Sequence, residues 1–176
     1  MLGKLFCDSK QAKHAIEIYN EQVTYFANKK YAIGAILCWY LIAEATIIAE
    51  TPKKAVDIAT QALEIAQNPK INNYFLIVLL RIVIAKAEIE ISDYETAKIN
   101  LESALILAKK YNMNDLLSKI YYIYANYYFE IGSVQSQKQL EYLRGASTMY
   151  DKAIDIIVKI SKNTTLRDKI STRKEN

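Results

Sequence analysis

The sequence predicts an all-α chain, and three features carry that prediction. Breakers are rare: 4 Gly and 2 Pro in 176 residues leave little turn chemistry and no low-complexity linker. Apolar and small residues recur at helical spacing over long runs. One of these stripes occurs twice. In "TPKKAVDIATQALEIAQNP" it is Ala55, Ala59, Ala62, Leu63 and Ala66, and in "SDYETAKINLESALILAKKYN" it is Ala97, Leu101, Ala104, Leu105 and Ala108. Both trace one face of a helix with 3.6 residues per turn, and the small residues let a neighbouring helix approach closely.

Seven helices follow in order. Asp8 with Gln11 can cap the first, over about 9–28, which ends near "NKK". The second covers about 30–50. Thr51-Pro52 supplies an N-cap and a proline at the first helical position, opening a third to about 67. Pro69 and Asn72-Asn73 break the chain before a fourth, to about 91. Ser92 with Glu95 forms a capping box for the fifth, to about 111. The sixth starts near Asn114 and is ended by Gly132; after the polar "SVQSQKQ" the seventh reaches about Ile160. The domain reading is one helical-repeat domain over 1–160, with hairpins 30–67, 72–111 and 114–160 preceded by helix 9–28, then a basic flexible tail, 161–176.

A second anchor tests the repeat. Ala43, Ala85 and Ala125 each lie within a first helix, with Trp39, Arg81 and Tyr121 four positions earlier. They advance by 42 and 40 residues. The third second-helix stripe is Ala146, Tyr150, Ala153, Ile154 and Ile157, displaced by a nine-residue insertion around "GSVQSQKQL". Helix one fits the second-helix stripe with Ala15, Tyr19, Gln22, Val23 and Phe26.

At these residues the chain resembles the tetratricopeptide repeat (TPR) family. Trp39/Ile42/Ala43 and Tyr121/Tyr124/Ala125 match the first helix of that repeat, and Ala97/Leu101/Ala104/Leu105 the second; Arg81 stands where the other copies have an aromatic. The resemblance covers about residues 12–160. A period near 42 exceeds the family's usual length of about 34 and implies an extended repeat. The implied fold is a right-handed α-solenoid of antiparallel helical hairpins, with a concave groove lined by the first helices. By resemblance the groove positions are Tyr40 and Glu44, Ile82 and Lys86, then Tyr122 and Asn126. One turn on come Ile47 and Ile48, Ile89 and Glu90, then Phe129 and Glu130, while Tyr121, Tyr124 and Tyr128 fall in the core. Tyrosine supplies hot-spot area and charge sets register, so the strip suits a peptide or helix. Glu44 argues against a clamp for chaperone C-termini, whose carboxylates it would repel.

Composition narrows the function classes further. From 159 to 176 six basic residues face Asp168 and Glu175, which accounts for the whole formal net charge of +4. The body is neutral, so any nucleic-acid role belongs to the tail. Cys7 and Cys38 are isolated and read as free thiols of a cytoplasmic protein. "MLGKLFCDSK" has no signal-peptide core, and the apolar run Tyr74 to Ala85 contains Arg81 and is too short to span a bilayer. His14, the single histidine, has no ligand or triad spacing to other groups, and Glu88 and Glu90 read as a solvated helix edge. The expectation is a protein that is not an enzyme and takes no metal or cofactor.

Two functions fit: a scaffold or adaptor that binds a partner peptide or helix in the groove, or a ligand- or peptide-sensing regulatory module of a signalling or transcription system. Because helix one matches the second helix of a hairpin, its other side, with Ile16, Ile18 and "MLGKLF", calls for a cover. Either residues 1–7 fold back as a partial cap, or two chains share the edge as a homodimer, which is slightly favoured because seven residues cover little of the helix.

Overall fold

The computed structural model describes residues 9–49 and 51–174. Among them are seven α-helices and no strand: α1 (Ser9–Asn28), α2 (Ala32–Ile48), α3 (Pro52–Ala66), α4 (Tyr74–Glu90), α5 (Tyr94–Lys110), α6 (Asn114–Val134) and α7 (Gln139–Lys174). A 3-10 turn, Ser136–Lys138, precedes α7. The seventh helix continues past Ile160, where the sequence reading ended it. The chain divides into two compact units, one running to Leu107 and the other starting at Ala108, so the division falls within the sequence of α5. The single domain drawn over 1–160 did not anticipate that division.

In the first unit α1 packs on α2, α2 on α3 and α3 on α4, and α2 also touches α4. That explains why α2 and α4 are apolar on nearly every face: each is covered from more than one side. The second helices are amphipathic instead. All five stripe residues of α3 are buried, as are Ala97, Leu101, Ala104 and Ala108 on α5, with Leu105 half-buried. The repeated alanine pattern is therefore a packing face in both copies. Ala15, Tyr19, Val23 and Phe26 of α1 are half-buried and α1 packs on α2, but Gln22, expected on the same stripe, is exposed, its carboxamide left in water. Gly34 makes that approach possible, because a Cβ there would meet the Phe26 and Tyr31 rings within 2.8 Å.

The turns repeat as well. Lys30, Ser92 and Asn112 take left-handed φ of 55°, 63° and 53° just after α1, α4 and α5. Around each, the next residue's N–H reaches back five positions (Tyr31 to Phe26, Asp93 to Glu88, Met113 to Ala108), while the left-handed residue donates three positions back. This is the Schellman pattern, made here without glycine. Lys30, Asn72 and Asn112, all left-handed, advance by the same 42 and 40 residues as the alanine anchors.

Three cap assignments change. Asp93, not Ser92, caps α5: its Oδ1 accepts from the Thr96 N–H at 3.3 Å, while Ser92 completes the preceding turn. Thr51 holds the N-cap position before Pro52, but its hydroxyl donates back to the Thr46 carbonyl. Gly132 does not end α6; it lies inside the helix, buried, where a Cβ would sit 2.9 Å from the Tyr142 Cβ of α7. Asn73 caps α4 by accepting from the Leu76 N–H at 3.1 Å. The Asp8–Gln11 cap lies outside the described residues.

Glu88 also departs from expectation: it is buried at 3% exposure rather than solvated. Both its carboxylate oxygens accept from Asn100 Nδ2, at 3.2 and 3.0 Å, and Asn100 Oδ1 accepts from Arg81 Nη1 at 3.0 Å. The Asn100 amide thus bridges a buried acid and a half-buried base between α4 and α5. Burial raises the Glu88 carboxyl above its ordinary value, opposed by the Asn100 bond and reinforced by Asp93.

In the second unit α6 packs on α7 around tyrosine. Tyr124 and Tyr127 are buried; Tyr128 stacks on Tyr124 at 6.2 Å and meets Tyr142 of α7 at 6.3 Å. Tyr127, absent from the expected core set, belongs to it; Tyr121 and Tyr128 are only half-buried.

Candidate partner-binding surfaces

In the first unit the expected groove residues Tyr40, Glu44 and Lys86 gather on α2 and α4. Lys86 Nζ donates to Glu44 Oε2 at 3.0 Å, and both side chains are about a third exposed. The two residues are 42 apart, one repeat period, so equivalent positions of successive first helices face each other. Tyr40 lies one turn before Glu44. Burial first, and then the Glu44 charge, push its phenol well above the ordinary value, so it stays protonated. Much of the charge assigned to partner recognition is therefore spent internally. Ile82 lies in the core at 4% exposure; it supports α4 and presents little to a partner. Ile89 is buried too, whereas Ile47 and Ile48 are half-buried.

In the second unit Tyr122 and Phe129 on α6 are each 53% exposed. Seven residues apart, they lie about 10 Å apart along one helix face. Asn126, between them, is already engaged: its Oδ1 accepts from the Tyr150 hydroxyl of α7 at 2.7 Å. Tyr150 also meets the Tyr122 ring edge-to-face at 5.8 Å. Burial, then Tyr122, raises the Tyr150 phenol, which keeps it a hydrogen-bond donor. Tyr150 was assigned only to the packing stripe, yet it positions both Asn126 and Tyr122.

A third feature was not foreseen. Asn20 of α1, Trp39 and Ile42 of α2, and Ile58, Gln61 and Ile65 of α3 line a pocket of about 210 Å³. Trp39, read as a packing anchor, is half-buried in its wall. Its signal in the sequence was indirect: two carboxamides, Asn20 and Gln61, at positions facing the same first helix.

Cys38 is a buried free thiol whose pKa burial raises, which leaves it a poor nucleophile. Among the described residues no helix is long and apolar enough to cross a membrane. Comparison with protein-family models, curated proteins and solved structures found no match, so the tetratricopeptide resemblance rests on this chain's own residues.

Proposed function

We propose that this chain is a non-catalytic interaction scaffold of the tetratricopeptide type, acting in the cytoplasm, and that it binds a peptide or helix of a partner protein on its first-helix faces. The right-handed solenoid belongs to this reading. It is supported by the Glu44–Lys86 pair spanning one period and by left-handed residues recurring at the same interval. The observation that carries the binding role is the pair Tyr122 and Phe129, two large aromatics left exposed on one face of α6. Such side chains form interface anchors at little conformational cost, and an i, i+7 pair suits a helical or extended segment. The paired Glu44 and Lys86 then act as a polar border rather than as anchors.

The test is Tyr122→Ala with Phe129→Ala. The double variant is expected to lose about 2 kcal/mol or more of partner affinity, the scale of aromatic hot spots, with helicity retained by circular dichroism. Undiminished binding would remove α6 from the interface. The same reading keeps a second copy of the chain as a partner for α1, where Ile18 and Tyr25 are exposed. Sedimentation at micromolar concentration is then expected to return a dimer that Ile18→Glu with Tyr25→Glu converts to monomer. A wild-type monomer would exclude that association.

A further inference from the structure

The positions that line the Trp39 pocket have register equivalents in the other two repeat copies, and in each of those copies a cation stands at one of them. In the second copy the anchor position is Arg81 itself. Its guanidinium bonds Asn100, which stands where the first copy has Ile58. In the third copy the anchor is Tyr121, and the Nζ of Lys152 lies 5.6 Å from the centre of its ring. Lys152 occupies the register of Gln61, six residues after Ala146 as Gln61 is after Ala55. The first copy combines an aromatic anchor, Trp39, with flanking carboxamides and a pocket, and has no cation at these positions.

Charge around the pocket points the same way. Glu17 and Glu21 lie within a turn of Asn20, and Asp57 and Glu64 within a turn of Gln61; all four are exposed. Among the described residues, only Glu17 of these four meets a basic group, the exposed His14 at 3.6 Å. No lysine or arginine lies within four residues of Asn20, Trp39 or Gln61.

We propose that the pocket formed by Asn20, Trp39 and Gln61 receives an arginine side chain of a protein partner. The flat guanidinium can lie against the indole, donate in a fork to the carboxamide oxygens of Asn20 and Gln61, and meet the acidic rim. Guanidinium is favoured over ammonium because the second copy pairs the same register with a carboxamide through Arg81. A pocket of this volume accommodates a single side chain rather than a drug-sized ligand. The proposal does not depend on the α6 face, and its test reads a different residue.

Trp39 is the only tryptophan, so its fluorescence reports this pocket alone. The full chain is titrated with acetyl-Gly-Arg-Gly-amide, with the same peptide carrying neutral, isosteric citrulline, and with its lysine analogue. A saturable change with the arginine peptide is expected, weakening with salt, and weaker by about tenfold for citrulline. Gln61→Lys, which supplies the cation the third copy already has, is expected to abolish the response while leaving thermal unfolding unchanged. A non-saturating response, equal responses to arginine and citrulline, lysine binding as tight as arginine, or undiminished binding by a folded Gln61→Lys protein would each overturn the proposal.

Discussion

Glu88 is the residue at which burial and charge are most directly opposed. Its carboxyl is desolvated between α4 and α5 and is held by one amide rather than by a direct ion pair. The folded protein therefore keeps a proton on Glu88 to higher pH than the unfolded chain, whose carboxyl titrates near the ordinary 4.5. Within that window the native state binds more protons. This contribution to stability is thus full below 4.5 and is lost as pH rises through the folded value. Glu88→Gln keeps an oxygen for Asn100 Nδ2 and removes the charge. It is expected to melt higher than wild type at pH 7, with an advantage that shrinks toward pH 4. Thermal unfolding across that range checks this, and an advantage that grew on acidification would reverse the assignment. The sequence held the signal in pieces: Arg81 at an aromatic anchor, and Asn100 three residues after Ala97 on a buried stripe. Periodicity weighs polarity along one helix, so it could not pair groups on two.

At the scale of elements the helices were legible and their junctions less so. Apolar period and Asn or Pro punctuation located all seven helices because packing faces and breakers are local features. The turn after α4 shows why caps were misread. Its three residues serve both the end of one helix and the start of the next, so Ser92 and Asp93 divide roles that a capping box assigns to one position. Gly132 misled for a related reason, since glycine ends helices but also permits the contact with Tyr142. The left-handed φ of 63° at Ser92 costs a residue with a Cβ about 1 kcal/mol or more. Ser92→Gly relieves it, less the entropy glycine adds to the unfolded chain, for a net gain of roughly 0.5–1 kcal/mol. Ser92→Val, β-branched at positive φ, is expected to be destabilising. Denaturant titration of the two variants checks the order, and a stability loss for glycine would show that the turn is not strained.

For the whole molecule, the period near 42 was the most informative feature of the sequence. It survives as the Glu44–Lys86 pair, the recurring left-handed residues and the buried alanine stripes. The division within α5 was not legible, because the stripe runs unbroken through Leu105 and Ala108 with no linker composition between them. The candidate surface was legible in part. Register placed Tyr40, Glu44, Lys86, Tyr122, Asn126 and Phe129 on first helices, but not which of them are already engaged with neighbours and which are free to bind. Tyr122 and Phe129 retain the largest exposed area of that set. The central claim is that a partner protein binds there, and site-specific photo-crosslinking tests it most directly. A photoreactive phenylalanine analogue is placed at 122 or 129, and as a control at exposed Ile99 or Ile106 of α5, in the cells that make the protein. The account predicts one discrete crosslinked protein from 122 and 129 and none from 99 and 106. Capture from the α5 positions, with none from α6, would contradict it.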